Sequence, residues 1–434
     1  MRTERIRLSF LVAKPGKEPN RPVRMETFIR KQLRMKSHYI THIEETDQVV
    51  IAHVARIGKR KLRCSSCRAT CRRTHGRLKA RKWRDLGLRD RPLELNYQPF
   101  RVRCRRCRKV KVEKVPWAEP WSRVTLSLVA AVALLARKLN WLEVARHFQL
   151  DWKTVAQIVQ SVVAEGLKRR TWKPLHIIGV DEVSRKRGHR YLTLVYDLER
   201  HRLIWIGEDR RKETLDSFFR WLNRKRCRSI RSVCCDMWAP YAKSIREHLP
   251  QATLVFDRFH LVRHLLDAVD EVRRQEVRRL SGTHKQLIKG TRFVLLKNPW
   301  NLTAAQRDSL FNLTRLNLRI VRAYLLKETF QLFWHYRRPF FANRFLRDWL
   351  WKASHSRLQP IKKFVQLVRS HFDGILAWTT LRISNGALEG FNNKVKLVSH
   401  RAFGFRTITH YMAAIYHVCA DLPLPHFSEA RGHA

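Results

Sequence analysis

The runs LHIIGVDE (175–182), RYLTLVYDLE (190–199) and RLIWIGED (202–209) decide the architecture. They are rich in Ile, Leu, Val and Tyr and are separated only by short polar breaks, so they read as consecutive strands. Pro174 marks the point where the preceding helical periodicity ends. ETLDSFFRWLN (213–223) returns to a helical pattern, and IRSVCCDM (230–237) reads as a strand. A helix over 239–249, the strand ATLVFDR (252–258) and a long basic helix over 259–280 complete the set. The first three strands lack room for crossovers and form an antiparallel meander, whereas strands alternating with helices form parallel units.

The order βββαβαβα is that of the ribonuclease-H-like fold. The predicted fold class is multidomain α/β. A mixed-sheet core with a C-terminal helix is interrupted by an all-α insertion, and a zinc-binding β module and a helix-turn-helix precede it. Within the insertion, helices are expected over 308–328, 329–335, 342–353 and 361–375. Trp300, Trp334, Trp349, Trp351 and Trp378 are concentrated there, mostly as core. The expected division is an unassigned extension (1–45), the zinc module (46–120) and the helix-turn-helix (121–170). The first part of the core (171–280), the insertion (281–380) and the C-terminal part of the core (381–434) follow.

Asp181 and Asp236 each stand where an apolar strand emerges. A carboxylate closing a buried strand is costly without a partner. Mg²⁺ or Mn²⁺, which prefers carboxylate, water and phosphate oxygens, is the natural one. Glu182 points to the opposite strand face and is not expected in the site. A third acid comes from SNGALEGFNNKVKLVSH (384–400), read as a helix capped by Ser384 or Asn385. Leu388, Phe391, Val395 and Val398 form its buried stripe, and Glu389, Asn392, Asn393 and Lys396 a polar one. Glu389 is expected at the metal and Lys396 at a phosphate. Asn392, Lys396, Arg401 and Arg406 are DNA-contact candidates.

The composition names the partner. The 434 residues hold 90 Lys and Arg against 36 Asp and Glu, a net charge of +54, and the pI is near 11.2. Such a chain calls for a polyanion, with nucleic acid first. Apolar residues make up 44% of it, which excludes general disorder. The most apolar stretch, residues 126–136, is too short to span a bilayer, so no membrane partner is expected. MRTERIRLSF lacks the apolar core of an export signal, and nine cysteines then argue for a reducing compartment. No Walker sequence is present, which disfavours an ATP-driven motor, and no Arg-His-x-x-Arg pattern precedes a suitable Tyr, which disfavours tyrosine recombinases.

Cys64, Cys67, Cys104 and Cys107 form two CxxC pairs, the pattern of a tetrahedral structural Zn²⁺ site. Cys71 and His75 offer a competing local set. The chain between the pairs reads as a hairpin of KWRDLGL (82–88) and LELNYQPFRV (93–102). Residues 56–114 carry 23 Lys and Arg against four acids, a net +19, which favours phosphate contact. A buried helix over 126–138, a short helix WLEVARHF (141–148), a turn at 149–151 and a longer helix over 152–167 follow. This is a helix-turn-helix plan with Asp151 as N-cap, and Lys153, Thr154 and Gln157 are placed to read DNA.

Asp181, Asp236 and Glu389, in this fold order, resemble the DDE triad of transposases and retroviral-type integrases. The chain resembles most closely the ISL-three group of bacterial insertion-sequence transposases. The matching pieces are IGVDEVSRKRGHRYLTLVYD (178–197), DMWAPY (236–241), LPQATLVFDRFHLVRHL (249–265) with DEVRR (270–274), and SNGALEGFNNKVK with RAFGFR (384–406). The resemblance covers roughly residues 50–420 and includes the zinc front end. It implies that Asp181, Asp236 and Glu389 bind the catalytic metal, with Asp257 and His260 as an accessory D-x-x-H element. It also implies binding of the terminal inverted repeats, 3′-end cleavage and strand transfer into double-stranded target DNA. A homodimer in the assembled complex and a bacterial, nucleoid-associated cytoplasmic location are expected. The alternative is a silent DNA-binding repressor derived from such an enzyme, and a structure-specific nuclease of the same fold is a third reading.

Overall fold

The structure is a computed structural model. It describes residues 35, 37–58, 61–88, 90–186, 190–316, 318–383 and 385–425, and only the backbone at 185–186, 190, 283–284 and 385–389. The chain divides into two units, Val163–Pro423 and the remainder. Among the described residues no helix is long and apolar enough to cross a membrane.

The N-terminal unit opens with β1 (His38–Glu45) and β2 (Val50–Arg56). The short strands β3 (Leu62–Arg63), β4 (Thr70–Cys71) and β5 (Thr74–Arg77) follow, then β6 (Arg81–Leu88), β7 (Arg91–Tyr97), β8 (Phe100–Cys104) and β9 (Lys109–Val112). The largest sheet has the order β1-β2-β7-β6, so it begins before the boundary expected at residue 45. The expected strand over 93–102 is two strands. Pro99 has no N–H to donate, pairing with β6 stops at Tyr97, and β8 turns into a separate sheet between β5 and β9. Trp83, Leu95, Tyr97 and Trp117 form the core with His38, whose ring lies edge-on to Tyr97 and Trp117. Burial lowers the pKa of His38 to about 3. Glu113 ties the two larger sheets together: it accepts from Tyr97 Oη (2.6 Å) and Phe100 N (2.8 Å) and pairs with Arg56 (2.9 Å).

Three helices follow: α1 (Leu126–Ala136), α2 (Trp141–Phe148) and α3 (Trp152–Arg169). Thr125 caps α1 and donates to Asp85 at 2.6 Å. Asn140 and Glu143 form a capping box on α2, which ends at Gln149 in the left-handed region (φ 51°). Asp151 Oδ1 accepts from Lys153 N at 2.6 Å and starts α3, as its N-cap position predicted.

The second unit is built on β10 (Ile177–Lys186), β11 (Arg190–Asp197), β12 (Arg202–Glu208), β13 (Ser232–Cys235) and β14 (Thr253–Phe256). The order is β12-β11-β10-β13-β14, antiparallel on the β12 side and parallel from β10 to β14. The crossovers are α4 (Lys212–Leu222) with α5 (Arg224–Cys227), then α6 (Ala239–His248). The long α7 (Arg258–Arg279) leaves the sheet after β14.

The helical segment holds α8 (Gly282–Ile288), α9 (Arg292–Leu296), α10 (Ala304–Thr314), α11 (Arg319–Gln331), a 3-10 turn (Leu332–His335), α12 (Pro339–Ser354) and α13 (Gln359–Ser370). The single helix expected over 308–328 is two helices. Glu276 on α7 accepts from the N–H groups of Arg319 (2.8 Å) and Ile320 (2.6 Å), anchoring a new helix start there. The helix expected over 361–375 also breaks, at His371, and α14 (Phe372–Leu381) returns to the sheet. Gly374 permits this approach: a Cβ there would lie 2.6 Å from the Phe256 ring and 3.0 Å from the Leu254 carbonyl. Trp334, Trp349 and Trp378 are core, whereas Trp300 and Trp351 are exposed. α15 (Asn385–Arg401) and α16 (Ile408–Cys419) complete the unit.

Candidate active site

Asp181 does not end its strand. β10 pairs with β11 as far as Lys186↔Arg190, but its parallel pairing with β13 stops at Val180↔Cys235. Asp181 therefore stands where the strand loses its parallel neighbour. One step beyond Val180↔Cys235 brings Asp181 level with Asp236. One step beyond Cys235↔Phe256 brings Asp236 level with Asp257. Residues level on adjacent parallel strands face the same way, so the three carboxylates form a row.

The row is held by specific contacts. Asp181 Oδ1 accepts from Glu182 N (2.7 Å), and its Oδ2 accepts from Asn392 Nδ2 (2.5 Å). Asp236 Oδ1 accepts from Met237 N (2.6 Å). Asp257 caps α7, accepting from Phe259 N (2.7 Å). His260, one turn into α7, bridges the row: Nδ1 lies 3.5 Å from Asp236 Oδ2, and Nε2 3.8 Å from Asp257 Oδ2. Burial pushes the Asp181 carboxyl above its ordinary range, opposed by the Asn392 and Glu182 hydrogen bonds. Burial also lifts Asp257 to about 6, against the pull of the Phe259 amide and His260.

Glu182 turns away, as strand alternation predicted, and pairs with Arg210 at 2.9 Å. That guanidinium lies over Tyr191 (4.4 Å) and Trp238 (4.6 Å).

α15 reaches the row because Phe391, Val395 and Val398 are buried, as their spacing predicted, with Phe391 stacked on Tyr196 at 4.4 Å. Glu389 lies on this helix one turn before Asn392, but its side chain, those of Leu388 and Asn385, and all of Ser384 lie outside the described residues. Asn392, read from sequence as a DNA contact, is placed against Asp181, and its buried Oδ1 has no hydrogen-bond partner among the described residues. No sequence signal separates this role from that of its polar neighbours. Lys396 and Arg406 are exposed and Arg401 is half-buried.

In the N-terminal unit the Sγ atoms of Cys64, Cys67, Cys104 and Cys107 lie within 4.8 Å of one another, with Cys67–Cys104 at 3.4 Å and Cys64–Cys107 at 3.9 Å. Tetrahedral Zn–S bonds of about 2.3 Å require sulfurs about 3.8 Å apart, so the donor set fits. The two knuckles are built alike. The residue after each second cysteine, Arg68 (φ 61°) and Arg108 (φ 55°), is left-handed. Cys71 instead donates to Ala69 O at 3.6 Å, and His75 is exposed. On α3, Lys153 and Gln157 are exposed and Thr154 is half-buried.

Residues 178–415 match a family model described as a transposase, of the ISL3 group. Residues 113–163 match the helix-turn-helix domain of transposase family ISL3. The transposase for insertion sequence element IS1001 of Bordetella parapertussis is 30% identical over 355 residues, covering 81% of this chain and 87% of that protein. The transposase for insertion sequence element IS1557 of Mycobacterium tuberculosis is 30% identical over 351 residues, covering 75% of this chain and 79% of that protein. The chain belongs to the ISL3 family of insertion-sequence transposases.

Proposed function

We propose that this transposase binds the terminal inverted repeats of its element, cleaves their 3′ ends and joins them to target DNA in a Mg²⁺- or Mn²⁺-dependent reaction. The observation that carries the reading is the level placement of Asp181 and Asp236 on adjacent parallel strands, with Asn392 docked on the first. The order β12-β11-β10-β13-β14, with its antiparallel and parallel halves, supports a ribonuclease-H-like core. Asp181, Asp236 and Glu389 would hold the divalent ions. The fit rests on a buried carboxylate with a raised pKa and on the orphaned Asn392 Oδ1 beside it. Such ions, when bound, activate an attacking oxygen and stabilise the leaving one in an in-line displacement at phosphorus.

The chain's own groups do the rest. Asn392 favours the ionised form of Asp181 and fixes its rotamer. His260 positions Asp236 and Asp257. Lys396, Arg401 and Arg406 would neutralise phosphates along the bound strand. In cleavage, water attacks phosphorus and a 3′-hydroxyl leaves. In joining, that hydroxyl attacks a target phosphodiester and displaces a target 3′-oxygen. The four cysteines would hold Zn²⁺ and fix the small sheets, whose limited core needs such a staple. Lys153, Thr154 and Gln157 would face the bases. Two ends cut in concert imply a homodimer on DNA, acting at the bacterial nucleoid.

The test is cleavage of an end-containing duplex and of a random duplex in Mg²⁺. Cleavage confined to the element's end supports the proposal. Equal cleavage of both points to a general nuclease, and binding without cleavage points to a repressor.

A further inference from the structure

The hairpin of β1 and β2 carries a cluster that the reaction does not use. His42 and Glu44 are two residues apart on β1 and share one face of the sheet. His53 on β2 is the register partner of His42. The two imidazoles stack with centroids 3.9 Å apart and planes at 15°. Glu44 Oε1 lies 2.9 Å from His53 Nε2 and 3.5 Å from His42 Nε2, and the ligand atoms of all three residues lie within 4.8 Å of one another.

We propose that His42, Glu44 and His53 bind a divalent metal of the Zn²⁺ class, at a site distinct from the cysteine cluster and from the carboxylate row of Asp181 and Asp236. Two imidazoles and a carboxylate suit Zn²⁺, and tetrahedral bonds of about 2.0–2.1 Å place donor atoms about 3.3–3.4 Å apart. The Glu44 contacts of 2.9 and 3.5 Å bracket that value, and the stacked imidazoles would turn to aim both Nε2 atoms at one ion. The outer contacts also fit. Asn96, the register partner of His53 on β7, lies with Nδ2 3.3 Å from His53 Nδ1, and Thr41 Oγ1 lies 3.2 Å from His42 Nδ1. Metal-bound histidines donate their second ring N–H. His42 Nδ1 can donate to Thr41 Oγ1, and metal binding would turn the Asn96 amide so that its Oδ1 accepts from His53 Nδ1, which leaves both Nε2 atoms for the ion. His53 Nε2 is shielded from solvent and faces Glu44 Oε1 at 2.9 Å. His42 and Glu44 face solvent, so an ion has an entry path and a fourth position for water.

The site has a structural consequence. Among the described residues β1 stands at the edge of its sheet and pairs with β2 alone. An ion shared by His42, Glu44 and His53 clasps that edge to its neighbour, as a cross-link between strands.

The experiment uses the full chain with its cysteine cluster loaded, equilibrated with Zn²⁺ by dialysis and compared by elemental analysis. The wild type is expected to hold one equivalent of zinc per chain more than His42→Ala and Glu44→Gln. Both positions are exposed, so these variants fold even if His53→Ala does not. Zn²⁺ is also expected to raise the melting temperature of the wild type more than that of His42→Ala. Asp181→Asn, which leaves this hairpin untouched, keeps the difference. Equal zinc content and equal melting shifts in wild type, His42→Ala and Glu44→Gln would overturn the proposal.

Discussion

Asn392 Nδ2 stands 2.5 Å from Asp181 Oδ2, a hydrogen bond between residues 211 positions apart that fastens α15 to the central strand of the sheet. Burial raises the pKa of Asp181, and this bond opposes the rise. Removing the donor raises the pKa further, so the acid limb of the cleavage profile moves to higher pH in Asn392→Ala. A hydrogen bond to a charged group is worth about 1.5–3 kcal/mol. Fully expressed in the barrier, that is a loss of roughly 10- to 100-fold in single-turnover cleavage. An unchanged pH profile would remove Asn392 from the site.

Asp257 supplies a stability test. Burial lifts its pKa from the ordinary 3.8 to about 6. Between those values the folded chain keeps a proton that the unfolded chain has lost, so stability falls as pH rises through the window. Asn also caps helices, so Asp257→Asn keeps the start of α7 and removes the buried charge. In buffer free of divalent ions the variant is expected to be more stable than the wild type at pH 7, by up to about 3 kcal/mol. The difference fades towards pH 4. Denaturant titrations at the two pH values measure it, and a pH-independent difference contradicts the assignment.

Gly374→Ala tests the docking of α14 on β14. The new Cβ meets the Phe256 ring at 2.6 Å and the Leu254 carbonyl at 3.0 Å, so a helix or a strand must move. Overpacking of this kind costs about 1–3 kcal/mol. Calorimetry reads the loss, and no change in melting temperature would show that the helix stands off the sheet.

Lys153 and Gln157 separate two kinds of DNA contact. Lys153→Ala is expected to weaken binding to every sequence and to reduce the salt slope by about 1. Gln157→Ala is expected to cost about 1–3 kcal/mol on the cognate end and little on other duplexes. Binding titrations at several salt concentrations, with cognate and scrambled duplex, distinguish them. A uniform loss for Gln157→Ala would contradict its placement at a base.

Much of the core was legible because its strands are apolar runs with clear ends. The cysteine site was legible from spacing alone, and the buried stripe of α15 from its period. Other features depend on pairing that no local pattern reveals. HYITHIEE forms β1 although it is mostly polar, because only alternate residues at its start are buried and the rest faces solvent. β10 runs past Asp181 because β11 continues to pair with it. LELNYQPFRV divides at Pro99, where two sheets part. The break before Arg319 depends on Glu276, a side chain from another helix. Asn392 looked like one member of a polar stripe, and only the docking of α15 sets it apart. His42 and His53 are 11 residues apart, and only the register makes them neighbours.

The central claim is that the row begun by Asp181 and Asp236 performs the chemistry while other parts of the chain hold the DNA. Asp236→Asn keeps the shape of the side chain and removes its charge. Binding and single-turnover cleavage of one end-containing duplex, measured in Mg²⁺ for wild type and variant, test the claim directly. The account predicts unchanged affinity for the end, with cleavage below detection. Cleavage by Asp236→Asn at the wild-type rate would contradict it.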